Sequence, residues 1–495
     1  MERKPNFVLI FPDQWRGDCL GSLGHPAQTP FLDEIASGGV TFTGAYSACP
    51  SCIASRASLI TGQTPSTCGR LAYGDKIPFR YKPTLMSCLR DSGYQTLCSG
   101  KTHFYPQRVA LGFEELKLYD VQNLEGDFIS DYHQWLEKEG KGAVKDTALE
   151  TGSNNWLAVP WTGPEYLHPN TWTMDTALEM LKRRDPTRPF FIQISFHRPH
   201  PPYDPPVSFF SRYRDIKLPP VPAGEWAEEF NHPVDRVDAY EGRLPDHVLE
   251  ETRKAYYAQL THIDYQIGKL LYFLRTTKKW LPDTYIIFVS DHGELLGDNH
   301  LFRKFNAFEG SAHIPLIIMP PTGEKGFQRG ILCDKPVTHM DLMPAILEAA
   351  GVSIPDSVEG KSIMPLITGA ETKWRESIHG EHSPCWQFVT DGYEKFIWRT
   401  DTGREYFFNL REDPGETRDL SSDPQYAERV NIWRNRLISV LSQRPQDGLT
   451  DGKKLLAGKK MPAVRKHLLE PQLDADGKIR PDSQLRENYL KHDFY

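Results

Sequence analysis

No stretch of this 495-residue chain is apolar for long enough to span a bilayer; its longest apolar runs, such as residues 285–289 and 315–319, are only a few residues each. A basic excess is also missing. With 58 Lys and Arg against 65 Asp and Glu, the net charge is −7. That balance argues against a nucleic-acid binder, yet it leaves room for a small anionic substrate held by a few local cations. Cysteine is scarce, with eight in the whole chain, which excludes a disulfide scaffold. Their spread is uneven: Cys19, Cys49, Cys52, Cys68, Cys88 and Cys98 fall in the first hundred residues, and only Cys333 and Cys385 follow. There is no internal repeat and no low-complexity tract beyond the prolines of residues 199–206. The N-terminus has no secretory pattern, because the apolar run of residues 6–11 ends at Pro12–Asp13 without a small-residue cleavage site. As written the chain reads as cytoplasmic; a chain already trimmed of a signal peptide would be periplasmic or secreted.

What is present is globular: 39% hydrophobic, 25% charged and 12% aromatic, enough to bury a large core. Several apolar runs end in polar or glycine-rich turns. Residues 6–11 lead into Asp13–Gln14, and residues 95–99 into Gly100-Lys101-Thr102-His103. Residues 189–196 lead into His197 and His200, and residues 285–289 into Ser290-Asp291-His292. Continuous Val, Ile and Phe runs of this length suit strands buried on both faces. Helical signals lie between them: Thr29–Pro30 with Gly38 beyond, an amphipathic stretch over 251–277, and 341–350 closed by Gly351. Alternation of this kind implies an α/β fold, a large, mostly parallel mixed sheet sandwiched by helices, with its site beyond the carboxyl ends of the strands. The character changes near residues 360–369. Strand patterns at 386–390, 396–399 and 405–410 and a helix over 424–442 imply a smaller α+β domain. The expected division is 1–371 and 372–495. From 446 the chain is polar and carries Lys453, Lys454, Lys459, Lys460, Arg465 and Lys466. It reads as a solvated tail, with the alternative that it folds over the site and lends it cations.

The chemistry centres on Cys49-Pro-Ser-Cys52-Ile-Ala-Ser-Arg56-Ala-Ser-Leu-Ile-Thr-Gly62. The Cys-x-x-Cys spacing leaves a redox pair open, but zinc would want a second pair, which is missing. A helix predicted over 55–60 puts Cys52 just before its N-terminus with Arg56 in the first turn, where anions collect and thiols acidify. A nucleophile there, with an arginine to hold an oxyanion group, suits sulfuryl or phosphoryl transfer. Asp13, Gln14, Asp291 and His292 follow two strands that a parallel sheet brings together. Their oxygen-rich set suits Ca²⁺ first, with Mg²⁺ or Mn²⁺ as alternatives.

The segment resembles the signature of the type I, formylglycine-dependent sulfatases of the alkaline phosphatase-like superfamily, with Ala54 standing where that family usually has proline. Asp13-Gln14, Gly100-Lys101-Thr-His103, His200-Pro-Pro, Ser290-Asp291-His292-Gly-Glu294, Lys304 with Glu309 and Pro315, residues 341–351 and residues 409–420 resemble its further blocks, in order. The resemblance implies that Cys52, not Cys49, is converted to formylglycine by a maturating enzyme. It implies a divalent metal held by Asp13, Gln14, Asp291, His292 and the converted Cys52. One hydroxyl of the hydrated aldehyde attacks sulfur, His200 protonates the leaving alcohol with Lys304 nearby, and His103 takes the proton that expels sulfate. Arg56 and Lys101 stabilise the transferring charge.

The implied activity is hydrolysis of a small sulfated substrate, with an exo-acting carbohydrate O-sulfatase expected because the chain lacks the basicity of an enzyme on long polyanions. Two alternatives stand beside it. One is a phosphonate monoester or phosphodiester hydrolase of the same superfamily, disfavoured by the Lys101–His103 pair. The other is a non-catalytic binder of sulfated ligands, which rests on Ala54. Substrate choice is expected from residues 105–169 and 201–250 and the C-terminal part. Trp135, Trp156, Trp161 and Trp386 are candidate stacking residues, and His133, His379 and His382 candidate polar ones.

Overall fold

The computed structural model describes residues 4–120, 128–146, 154–370 and 373–470. The expected division at 371/372 and the tail beyond 470 lie outside the described residues. Among the described residues, ten strands precede residue 370: β1 Asn6–Ile10, β2 Val40–Phe42, β3 Ala45–Tyr46, β4 Gln95–Gly100, β5 Glu115–Leu118, β6 Phe190–Ser195, β7 Thr284–Val289, β8 Leu316–Met319, β9 Ile331–Cys333 and β10 Val337–Thr338. Eight of them form one sheet in the order β5-β4-β6-β1-β7-β8-β2-β9, while β10 and β3 pair separately. Strand β8 runs antiparallel to β7 and β2; the other pairings of the large sheet are parallel. This is the mixed, mostly parallel sheet that the unbroken apolar runs predict.

The pleat explains those runs. Val8 and Ile10 share one core with Ile192, Ile194, Ile286 and Phe288, and Phe7 and Leu9 share the opposite core with Phe191, Tyr285, Ile287 and Val289. Successive residues point to opposite faces and both faces are covered by helices, so a central strand is mostly apolar; Gln193 of β6 and Thr96 of β4 are buried exceptions, and Thr96 donates to the Gly112 carbonyl. The polar residues that follow β4, β6, β1 and β7, four neighbours in the sheet, are thereby brought to one edge.

The long helix spans Asp246–Tyr272, starting earlier than its sequence pattern, and residues 273–277 form a π-helical turn. Its core-facing surface is wide because further helices pack on it. Gly268 admits the ring of Phe31, which a Cβ there would meet at 2.6 Å. Asp264 accepts the N–H groups of Phe31 and Leu32 at 3.1 and 2.7 Å, supplying the N-terminal cap of the helix Pro30–Ser37. Thr29 was expected to cap that helix; its hydroxyl instead accepts from the Gly21 N–H and bonds Asp33.

Beyond residue 373 lies a second, antiparallel sheet, in the order β11 Ile378–His382, β12 Trp386–Thr390, β13 Glu394–Arg399, β14 Glu405–Asn409. The helix Ala427–Ser442 covers one face through Trp433 and Leu437. The other face shares a core with Tyr46, Leu295 and Phe308 of the large unit. Lys395, buried in that seam, pairs with Glu309 at 2.6 Å and Glu416 at 2.8 Å. The tail returns along residues 66–71: the Leu71 N–H donates to the Ala463 carbonyl and Arg465 bonds Asp447 and Ser66. Lys453, Lys454, Lys459 and Lys460 are exposed.

Candidate active site

The site assembles at the carboxyl ends of β4, β6, β1 and β7, facing the N-terminus of the helix Cys52–Thr61. Cys52 is the first residue of that helix, three residues earlier than the sequence pattern placed its start, so Arg56 lies one turn further along the same face. The Cys52 Sγ is 3.1 Å from His292 Nε2 and 3.8 Å from Asp13 Oδ1. His292 Nε2 is 3.7 Å from both Asp13 and Asp291. Its Nδ1 donates to the Gly293 carbonyl at 2.9 Å. A carbonyl only accepts, so Nδ1 carries a proton and Nε2 is the nitrogen that faces the carboxylates; in the neutral ring its lone pair is the one that ligates metals.

Arg56 braces the two acids. Its guanidinium lies 3.0 Å from Asp291 and 3.4 Å from Asp13. It also donates to the Lys101 carbonyl and the Ser195 hydroxyl, both at 3.0 Å, and lies over the Phe11 ring at 4.6 Å. Lys101 Nζ is 2.7 Å from Asp13. Burial alone would raise the Asp13 carboxyl, but Lys101, His200, His292 and Arg56 together hold it well below the usual carboxylate range. Burial would likewise lower His292, and Asp291 and Cys52 reverse this and raise it.

The other predicted residues stand around this cluster. Lys304 Nζ donates to the Gln14 Oε1 at 2.7 Å. The Gln14 amide in turn bonds Glu294, which also accepts from Tyr203 at 3.0 Å. His200 donates from Nδ1 to the Pro201 carbonyl at 2.9 Å. His103 is buried with no hydrogen-bond partner on either ring nitrogen, and its N–H is held by Asp120 at 2.9 Å. Burial, with Lys101 and Arg56, lowers His103 well below the ordinary imidazole value; burial and Lys304 do the same for His200. Gln14 and His103 both take left-handed backbone conformations, φ 72° and 58°, strain that persists where the surroundings over-determine a residue.

Asp120, Ser195, His339 and Tyr73 were not singled out from the sequence, and Glu294 was named there only as part of the block that follows Asp291. Asp120 follows β5 as Asp13 follows β1, and that strand-end position is the signal that could have found it. His339 donates to the Ser290 carbonyl at 2.7 Å and so steadies Asp291, a contact between segments with no shared pattern. Of the candidate tryptophans, Trp156, Trp161 and Trp386 pack in cores. His133 bonds Asp146 and His379 bonds Gln387. His382, by contrast, feels the charges of His292 and Lys304. All eight cysteines are free thiols, Cys49 and Cys52 included.

Asp13, Cys52, Asp291 and His292 offer ligand atoms within 4.8 Å of one another, all buried. Two carboxylates, a lone-pair-bearing imidazole and an adjacent carboxamide fit a hard divalent cation.

Comparison with known proteins agrees with this geometry. The sulfatase family model matches residues 5–352, and the model for the C-terminal part of N-sulphoglucosamine sulphohydrolase matches residues 297–443. An arylsulfatase of Clostridium perfringens is 41% identical, covering 92% of this chain and 98% of its own. A choline-sulfatase of Rhizobium meliloti is 28% identical over 85% of this chain and 83% of its own. Among solved structures, the phosphonate monoester hydrolase of Agrobacterium radiobacter superposes with a TM-score of 0.75 at 24% identity, covering 93% of this chain and all of that one. A protein in complex with its substrate D-glucosamine-2-N,6-O-disulfate does so at 0.70 and 19% identity, covering 90% and 99%. With a family match over most of its length and a relative that is similar almost end to end, this chain belongs to the sulfatase family of sulfuric ester hydrolases.

Proposed function

We propose that the chain hydrolyses the O-sulfate ester of a carbohydrate, acting on a terminal residue, with Cys52 converted to formylglycine by a maturating enzyme. The observation that carries the reading is the placement of Cys52: its thiol opens a helix and lies 3.1 Å from His292 and 3.8 Å from Asp13, with Arg56, Lys101 and Lys304 around it. Relatives whose printed names specify ulvan and glycosaminoglycan support the carbohydrate class.

A divalent cation at Asp13, Gln14, Asp291 and His292, calcium by the donor set with magnesium or manganese as alternatives, would supply positive charge that acidifies the nucleophile and polarises the ester. The protein's own residues do the rest. Arg56 fixes the two acids, and with Lys101 and Lys304 it balances the charge of the transferring group. His103 is held neutral by burial and by its cationic neighbours, which suits a base that accepts a proton. His200 is the acid for the leaving oxygen. Burial lowers it in the free protein, and the charge of a bound sulfate ester draws it back toward protonation. We assign residues 1–371 to the catalytic unit and 372–495 to a smaller C-terminal one.

Two measurements test the scheme. Mass spectrometry of the Cys52 peptide, from a host with the maturating enzyme, is expected to show the aldehyde; a fully unmodified thiol supports a non-catalytic binder. A kinetic panel is expected to favour sulfate esters. Preference for aryl phosphonates over aryl sulfates in kcat/KM supports the phosphonate hydrolase reading, and near-normal turnover by Cys52→Ala refutes the nucleophile.

A further inference from the structure

Lys304 sits in a strained stretch. Leu296, Asn299, His300, Arg303 and Phe305 all adopt left-handed conformations, and Phe305 has φ 85°. A bulky aromatic side chain rarely takes that backbone, so its placement is imposed by the surroundings. The surroundings are other rings. Phe305 is only partly buried, and three residues from distant segments meet it: Tyr73 at 6.3 Å, Tyr240 at 5.7 Å, and His382 of β11, stacked at 5.0 Å and 27°.

This arc is anchored on the reaction centre. The Tyr73 ring meets His103 edge-on at 5.6 Å, and its hydroxyl donates to Asp75 at 3.1 Å. Lys304 Nζ lies 5.4 Å from the centre of the Phe305 ring. His382 is buried, and its ring is held by stacking on Phe305 and by a hydrogen bond to the Ser383 backbone. At the outer end Tyr240 is 38% exposed.

We propose that Tyr73, Phe305 and Tyr240 form the leaving-group wall of the site, and that this wall selects an alcohol carried on an uncharged ring, aryl or pyranosyl, over an acyclic or cationic one. The proposal rests on the sulfatase reading of the Cys52 centre and narrows its substrate. Phenyl and phenol rings offer a broad apolar face, which a flat ring covers better than a flexible chain does. A cationic alcohol is disfavoured. The Arg303 guanidinium already lies 3.8 Å over the Tyr240 ring and Lys304 stands beside Phe305, so a quaternary ammonium would meet like charges where it would seek an aromatic cage.

The test is steady-state kinetics on p-nitrophenyl sulfate, an N-acetylhexosamine sulfate, ethyl sulfate and choline sulfate. Enzymes are the wild type, Phe305→Ala and Tyr240→Ser. The second variant alters an exposed rim position and guards against misfolding in the first. The readout is the ratio of ring to acyclic kcat/KM, which is independent of the active fraction. The wild type is expected to prefer one or both ring substrates, and activity on ring substrates alone supports the proposal equally. Phe305→Ala is expected to lower ring kcat/KM about three- to tenfold, with a smaller loss in Tyr240→Ser. Where acyclic turnover is measurable it should stay nearly unchanged. The ring substrate that loses more identifies the source of the alcohol. Equal losses on ring and acyclic esters overturn the wall, as does a wild type that prefers choline sulfate. A wild type inert on all four esters overturns the catalytic reading itself, and the wall with it.

Discussion

Replacing Arg56 by methionine tests the frame on which the site rests. Methionine keeps the apolar contact with Phe11 but removes the charge. Asp13 loses a pair at 3.4 Å and Asp291 one at 3.0 Å, both fully buried. The Lys101 carbonyl loses its donor, while Ser195 keeps its bond to Phe11. Asp13 keeps Lys101 at 2.7 Å, but Asp291 loses its guanidinium, and removing one partner of a buried ion pair costs about 3–5 kcal/mol because the other charge stays buried. Unfolding entropy of about 2.1 cal/mol/K per residue, over 495 residues, gives about 1 kcal/mol per degree. The melting temperature in EDTA should therefore fall by about 3–5 °C. Calcium should recover more of it in the variant than in the wild type, because the cation then takes carboxylates that Arg56 no longer holds. Scanning calorimetry with EDTA and with calcium measures both. A variant that melts within a degree of the wild type in EDTA would falsify the bracing role, and an equal calcium shift in both proteins would place the cation elsewhere.

Further expectations concern the acid, the second sheet and a helix cap. His200→Ala should lower kcat about 10²–10⁴-fold on esters of poor leaving alcohols and much less on p-nitrophenyl sulfate; equal losses exclude the acid role. Arg444 holds the buried Glu381 by two bonds of 2.8 and 2.7 Å. Burial would raise Glu381, and Arg444 outweighs it and lowers it below its ordinary 4.5. A depressed carboxylate contributes stability above its unfolded value and loses it as pH falls. The melting-temperature gap between wild type and Arg444→Met should therefore be widest above about pH 5 and narrow progressively as pH falls below the ordinary 4.5 of a glutamate; a gap independent of pH refutes it. Asp264→Ala should cost about 1–2 kcal/mol through the lost cap on Phe31 and Leu32, read as a shift in denaturant midpoint without a change of slope.

The legible parts of the fold are those with one dominant local constraint. Strands β1, β4, β6 and β7 are buried on both faces, so their sequences are mostly apolar, and the polar turns that follow them, with Asp13, Lys101, His197 and Asp291, mark the site edge. Strand β11 was missed because Ile378–His382 contains Glu381 and His382, polar residues that stay buried because Arg444 and the Phe305 ring meet them from afar. The helix start at Cys52 was missed by three residues because the tight, fully buried segment around Ser55 has no polar face to show its period.

Residue identity along the chain thus determined which groups are available for the proposed chemistry, since a nucleophile, two acids and their cations need particular side chains at strand ends and a helix start. Only the tertiary structure decided which of them touch. The strand order placed β4, β6, β1 and β7 side by side, setting Arg56 between two acids hundreds of residues from one of them. It also set Tyr73, Tyr240 and His382 around Phe305. Such contacts join segments too far apart for any periodicity to encode, and they exist only once the sheet is assembled and the second sheet has closed over its end.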